Sequence, residues 1–200
     1  PVPVATTLSG TAATGAPFAG AALQVTDATG ATVCATTTLS DGTFTCPLAP
    51  TVARPLVLRA VKDDQVLYSA TATTGDVRAN VTPLTTIITA RLAPNGDPSK
   101  LAASPQSVTA AALQAQSAAL IAALQPLLTA LGLTIDPLAG ALTADGSGQD
   151  KLLDSISVTV QPSGTAANIE VTVKTIPTSP GAQPEPLKSS SSDAALPTVS

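Results

Sequence analysis

Residues 20–48 read GAALQVTDATGATVCATTTLSDGTFTCPL, and this segment carries the signals that decide the fold. Short runs rich in Val and Thr alternate with the turn sequences Asp-Ala-Thr-Gly and Ser-Asp-Gly, which is typical of β-strands joined by tight turns. The pattern continues on both sides and predicts six strands at 6–11, 22–26, 32–37, 43–47, 56–61 and 66–71. Strands at this spacing indicate a small antiparallel β-sandwich.

The two cysteines of the chain, Cys34 and Cys46, flank the turn signal Asp41-Gly42. Folding the two strands back on this turn would place the cysteines nearly opposite each other, which predicts a cross-strand disulfide; a pair of buried thiols is the alternative. Such a bond contributes about 3 kcal/mol to stability. Because disulfides persist in oxidising compartments, we expect a secreted or cell-surface protein whose signal peptide has been removed.

The first part of the chain resembles the bacterial carboxypeptidase regulatory-like domain, a transthyretin-like β-sandwich. The resemblance covers roughly residues 5–72, and the family pattern includes G-x-P-L-x-G-A-x-V, a D-x-x-G turn and T-x-x-D-G-x-F. The matching positions are Gly10, Gly15, Pro17, Gly20, Ala21, Val25, Asp27, Gly30, Thr38, Asp41, Gly42 and Phe44. The resemblance implies an accessory, structural or surface module without catalytic residues. The two cysteines are not part of the family pattern.

After residue 81 the apolar residues follow a helical period. Thr82 and Pro83 are a favoured N-cap and first residue of a helix. A longer helix is predicted over 106–131, where Pro126 should kink or restart it and Gly132 should end it. Its apolar stripe comprises Leu113, Leu120, Ile121, Leu124, Leu127, Leu128 and Leu131.

The remaining patterns predict a short helical turn and a β-hairpin. The turn lies near residues 150–154, and the hairpin is formed by SISVTV and NIEVTVKT, which both alternate with period two. The predicted fold is therefore mainly β with an α+β region. Its expected divisions are a sandwich at 1–80, a helical region with a hairpin at 81–175, and an extended Pro/Ser-rich tail at 176–200.

The tail composition predicts a segment that becomes ordered only with added contacts. Residues 176–200 are rich in Pro and Ser, and they lack a helical period. Such a segment buries too little apolar surface to offset the entropy lost on ordering. We therefore expect Leu187, Leu196 and Val199 to contact a neighbouring subunit.

The absence of histidine removes several kinds of chemistry. An ordinary Ser-His-Asp or Cys-His site needs an imidazole, and two cysteines alone cannot complete a four-ligand zinc site. The carboxylate pairs Asp63-Asp64 and Asp150/Asp154 could in principle do acid–base work, but Asp63-Asp64 is interpreted as a turn and Asp150 as the cap or start of a short helix. The segment TADGSGQD lacks the EF-hand pattern and is interpreted as a turn. No enzyme activity, metal or cofactor is predicted.

Composition also argues against two classes of partner. The net charge is −4, charged residues make up 11% and aromatic residues 2%. A nucleic-acid interface would need a basic stripe, and no uninterrupted apolar run approaches the length of a membrane span. Neither nucleic acid nor a membrane span is predicted. The sequon at Asn80 is interpreted as accidental, and Tyr68 as a core or edge residue.

These features together predict a durable extracellular building block. The expected function is that of a secreted bacterial structural protein, a homo-polymer subunit of an extracellular filament or surface fibre held by strand or tail exchange. The alternative is a monomeric surface adhesin or a ligand- or glycan-binding module without catalysis. The sequence leaves the presence of glycans open.

Overall fold

The strand and helix signals produce the elements of the computed structural model, which describes residues 5–174, 187–193 and 196–197. Within these residues the chain forms ten β-strands and three α-helices. The strands are β1 (Thr6–Thr11), β2 (Ala22–Thr26), β3 (Thr32–Thr37), β4 (Thr43–Leu48), β5 (Leu56–Lys62), β6 (Gln65–Thr71), β7 (Val77–Arg78), β8 (Ile156–Ser163), β9 (Ala166–Val173) and β10 (Leu187–Ser190). The helices are α1 (Pro83–Leu92), α2 (Ala110–Leu131) and α3 (Gly148–Ser155). The predicted mainly β class with an α+β region is confirmed.

The first seven strands form two sheets in a sandwich-like arrangement. One sheet has the order β3-β2-β5-β6 and is antiparallel throughout, and the other has the order β4-β1-β7. Alternate residues of both sheets meet in a sandwich core. This core includes Leu8, Phe18, Leu23, Val25, Phe44, Cys46, Leu48, Leu56, Leu58, Leu67 and Val81. All six predicted strands are present; among these first seven strands, the sequence patterns missed the two-residue β7, which pairs parallel to β1.

The predicted disulfide between Cys34 and Cys46 is confirmed. The prediction that the two cysteines lie on the paired strands of a hairpin is wrong. Strands β3 and β4 are not neighbours in one sheet; they lie at the edges of the two different sheets. The bond therefore joins the two layers of the sandwich, with Cα atoms 6.0 Å apart. Cys46 is fully buried, and Cys34 is partly buried against the same core.

The hydrogen bonds of the connecting turn explain why the chain changes sheets. The N–H of Thr38 donates to Ala21 O at 3.0 Å, which keeps the end of β3 beside β2. At the other end of the turn, Gly42 O accepts from Ala12 N at 2.8 Å, which brings the chain beside β1. Gly42 has φ +80°, and a Cβ there would overlap Ala12 O. The Asp-Gly signal thus forms a turn between sheets instead of a hairpin within one.

A helical core covers the outer face of the four-stranded sheet. The sheet β10-β9-β8 and the three helices supply most of it, and Val57 and Ala70 join it from β5 and β6. The two regions of the chain therefore share buried apolar contacts. The main members are Leu84, Ile87, Ile88, Leu101, Leu113, Leu120, Leu124, Leu127, Leu128, Leu152, Leu153, Ile156, Ile169, Val171, Val173 and Leu187.

Helix α1 begins as predicted, and its threonines also bind the sandwich. Thr82 and Thr85 form a reciprocal capping box, and Pro83 occupies the first turn. The Thr85 hydroxyl donates to Tyr68 O at 2.7 Å, and Tyr68 N–H donates to Thr86 Oγ1 at 3.0 Å. These two bonds satisfy the outer backbone groups of β6 at Tyr68.

Helix α2 begins later than predicted but ends at the expected residue. Thr109 caps it by accepting from Ala112 N at 3.1 Å, after a 3₁₀ turn at Pro105–Ser107. The helix continues through Pro126 to Leu131 and is capped by Gly132, so of the two predicted effects of Pro126, a kink or a restart, the restart is wrong. By length and composition alone α2 could cross a membrane; here Leu120 and Leu124 are buried in the helical core.

We expect the disulfide to be present quantitatively and to stabilise the fold. Intact mass should rise by two hydrogen atoms on reduction, and the unreduced, denatured protein should take up no alkylating reagent. Reduction should lower the free energy of unfolding by about 3 kcal/mol. Two alkylated thiols in the unreduced protein would contradict the bond and weaken the extracellular assignment.

The leucine stripe of α2 provides a second test. Leu124→Ala removes a fully buried side chain from the helical core, so we expect a loss of about 2–5 kcal/mol in the free energy of unfolding. Urea denaturation measures it. The matched variant Gln125→Ala changes an exposed neighbour and should alter stability by less than about 0.5 kcal/mol. Equal effects of the two variants would mean that the stripe is not packed.

Candidate site for strand exchange

The chain returns at residue 187 to add a strand to the sheet of the helical core. Strand β10 pairs antiparallel with the outer edge of β9, with Leu187 opposite Val171 and Ser190 opposite Asn168. The Pro/Ser-rich tail thus contains an element that sequence patterns did not predict. Leu187 followed by Lys188 is the only local sign of the alternation typical of a strand.

Apolar side chains hold this strand to its own chain. Leu187 is 3% exposed within the helical core, and Leu196 packs partly buried against the same core. Val199 lies outside the described residues. The prediction that these three residues contact a neighbouring subunit stays a prediction, and two of them fill a site on the chain itself.

Arg91, near the end of α1, binds the backbone that follows β10. Its Nε donates to Gln116 Oε1 at 2.6 Å, and its Nη2 donates to Asp193 O at 2.8 Å. Burial lowers the pKa of Arg91, and the Asp193 carboxylate partly opposes this change. The N–H of Ser190 donates to the Asp193 carboxylate at 2.7 Å and holds the pKa of that group below its ordinary value. Arg91 thereby fixes the end of the strand by polar contacts.

The 3₁₀ turn at Pro94–Gly96 closes the other side of the site. Ser191 and Ala167 exchange two hydrogen bonds, both 2.8 Å: Ser191 N–H to Ala167 O and Ala167 N–H to Ser191 Oγ. Gly96 has φ +69°, and a Cβ there would overlap Ser191 Oγ and Ala167 N. The site therefore requires glycine at this position. We call the set of contacts from Arg91, Gln116, Gly96, Ala167 and the edge of β9 the β10 site.

The acidic residues singled out in the sequence do not converge on a ligand. Among the described residues, no group of three or more Cys, Asp or Glu side chains is arranged to hold a metal ion. Asp63 has φ +51° in the turn between β5 and β6, in agreement with the turn interpretation. Asp150 is 1% exposed and accepts from Gly146 N at 2.7 Å; burial raises its pKa, and the Asp154 and Asp145 carboxylates add to this effect.

The sequon and the aromatic candidate also have structural roles. Asn80 is fully buried, and its side-chain N–H donates to Gly140 O at 2.7 Å, which makes it inaccessible to a glycosylating enzyme in the folded chain. Tyr68 lies half-buried on the edge strand β6, as the sequence interpretation expected.

Comparison with known proteins supplies no relative: no family model matches the chain, and no curated protein matches it. Any functional conclusion therefore depends on the fold and on the contacts of the β10 site.

Removal of the Leu187 side chain tests whether β10 occupies its site in solution. Leu187→Ala should speed amide hydrogen exchange over residues 187–193, because the strand loses its buried anchor. Lys188→Ala, at the exposed neighbouring position, is the matched control and should leave exchange nearly unchanged. Rapid exchange of this segment in the wild-type protein would contradict docking.

The buried carboxylate of Asp150 predicts a pH dependence. Its raised pKa means that the folded chain holds this proton more tightly than the unfolded chain. The resulting stabilisation is complete below the unfolded pKa and is lost as the pH rises through the folded pKa. Asp150→Asn keeps a neutral group at every pH. The free energy of unfolding of this variant should therefore rise relative to that of the wild type between about pH 4 and neutrality. A constant difference across this range would show that folding does not raise the pKa of Asp150.

Proposed function

We propose that the chain is a non-catalytic, secreted structural subunit that assembles with its own copies into an extracellular filament or surface fibre. The observation that carries the proposal is the β10 site, because it binds a short strand at the end of a long connection. Strands joined in hairpins are usually separated by two to five residues. Here residues 174–186 separate β9 from β10.

A second copy can supply β10 with the same contacts. The ladder to β9 and the hydrogen bonds from Arg91 and Ala167 all end on residues 187–193, and none requires that the strand belong to the same chain. In an extended form, residues 174–186 would span about 40 Å, which exceeds the roughly 16 Å radius of gyration expected for a chain of this length. Exchange of an identical element is a low-cost route to assembly, because it creates few new contacts.

The disulfide and the sandwich-like sheets support the assignment to the cell exterior. A buried disulfide between two layers is typical of proteins that leave a reducing cytosol. The arrangement also agrees with the resemblance to the transthyretin-like, carboxypeptidase regulatory-like sandwich, whose members are accessory or surface modules. We therefore propose that residues 5–72 are such a module and that the remainder of the chain supplies the exchange site.

A cysteine pair across β9 and β10 tests strand exchange directly. Lys188 lies opposite Glu170 in the register, within the Cβ separation that a disulfide bridges. In fibres held by exchange, Glu170→Cys with Lys188→Cys should form bonds between copies and give a ladder on a non-reducing gel. Thr159→Cys with Lys188→Cys is the control: Thr159 lies opposite Glu170 on the other side of β9, too far for a bond.

Negative-stain microscopy of the same samples separates the possible outcomes. Fibres whose bonds lie only within single chains would contradict exchange of β10 but leave the polymer intact. A full-length protein that stays monomeric at high concentration would contradict the polymer and favour a monomeric surface module.

A further inference from the structure

A groove of about 560 Å³ lies between β6 and β8. Each of these strands is the last strand of its sheet. Residues 65–67 of β6 line one side, residues 156–161 of β8 line the other, and Pro83 and Thr86 contribute from α1. A groove bordered by two strand edges is suited to an extended peptide that adds a strand.

The edge of β8 offers an open ladder of backbone groups. Lys174 N–H donates to Ser155 O at 2.7 Å, which fixes the alternation of hydrogen bonds between β8 and β9. By this alternation the backbone groups of Val158 and Val160 are directed away from β9, toward the groove. Pro162 is the next residue with this orientation, and a proline is tolerated there because no N–H is needed at a free edge.

The edge of β6 is different, because helix α1 already satisfies part of it. The hydroxyls of Thr85 and Thr86 bind the carbonyl and N–H of Tyr68. Tyr68 lies just beyond the groove, and by the same alternation Val66 is the one residue among 65–67 that directs its N–H and carbonyl away from β5 and into the groove. A matching strand would carry donors and acceptors toward β8 and a carbonyl acceptor toward the N–H of Val66.

The segment 1–4, Pro-Val-Pro-Val, has this property. Alternate residues of an extended strand direct their backbone groups to the same side. Val2 and Val4 thus supply donors and acceptors on one edge, whereas the two prolines supply only carbonyls on the other. Val158 and Val160 pack partly buried against the helical core, so Val2 and Val4 opposite them would extend that apolar face.

The length of the segment shows which copy must provide it. Ala5 precedes β1, whereas Thr14, beyond the far end of β1, lines the groove. Along β1 the distance from residue 5 to residue 11 alone is about 20 Å, and four residues extend at most about 14 Å. Four residues are therefore too short to run from Ala5 to the Thr14 end of the groove.

We infer that residues 1–4 of a second copy bind in the groove between β6 and β8 as an added strand, with Val2 and Val4 paired to Val158 and Val160. The inference rests on the proposed polymer and identifies a contact distinct from the β10 site. Donor and acceptor lie at opposite ends of β1, so each copy binds the next head to tail. A head-to-tail contact of this kind propagates as an open filament unless its rotation closes a ring.

A labelled peptide tests the groove independently of fibre formation. Pro-Val-Pro-Val-Ala-Thr-Thr, labelled at its C-terminal end, is titrated with the full chain and followed by fluorescence anisotropy. The rearranged peptide Pro-Pro-Val-Val-Ala-Thr-Thr has the same composition, but its first four residues place one valine N–H on each edge instead of two on the same edge. Whichever edge faces β8, one hydrogen bond is lost, so it should bind about tenfold more weakly. Equal binding of the two peptides, or no binding of the first, would overturn the inference.

Variants on both sides of the contact complete the test. Val158→Pro removes a groove-directed N–H without breaking the ladder to β9 and should abolish peptide binding; circular dichroism checks its fold. Val2→Pro lies outside the described fold and should prevent assembly, whereas Val2→Thr keeps the donor and should not. Fibres formed equally by both Val2 variants would overturn the inference without contradicting the proposed polymer. Selective peptide binding without fibres in the wild type would support the groove and contradict the polymer.

Discussion

The hydrogen bonds between the start of α1 and β6 are the contact on which the rest of the structure depends. Helix α1 lies under both the sandwich and the sheet of β8 to β10, and residues 84–90 are all buried. Buried hydroxyls destabilise a protein unless they are paired. The hydroxyls of Thr85, Thr86 and Thr89 each bond a backbone group, and two of these bonds join the helix to Tyr68. The threonines thus allow a polar helix to sit inside an apolar core.

The same contact explains how a chain with few charged and aromatic residues forms two cores. Only 11% of residues are charged and 2% are aromatic, so specificity cannot come from ion pairs or large rings. Hydroxyls bonded to backbone groups take that role: Thr38 at the turn between the sheets, and Ser191, beside Arg91, at the β10 site. One ion pair, Lys100 with Asp97, is found in the described part of the chain, and its lysine is exposed.

Local structure could be predicted from the sequence, whereas the pairing between distant segments could not. The six sandwich strands and the cap at Thr82 follow from alternation and side-chain chemistry within a few residues. The crossing after Thr38 depends on Ala12, which lies far away in the sequence. The position of strand β10 depends on its pairing with β9 and on Arg91, and Leu187 followed by Lys188 is its only local sign of a strand. The groove between β6 and β8 depends on which edges the tertiary fold leaves open, and sequence periodicity does not encode this.

The bond between the two sandwich layers also limits how far the chain can be stretched. In the proposed fibre each subunit would carry mechanical load, and a load that separates the sheets would begin to extend the polypeptide. Cys34 and Cys46 are 12 residues apart in the sequence and 6.0 Å apart between Cα atoms. Because the bond keeps the segment between the two cysteines closed, an oxidised chain is shorter at full extension than a reduced chain by about 35 Å. An oxidised subunit would reach its full extension sooner than a reduced one, and the difference would appear as a fixed length in force spectroscopy.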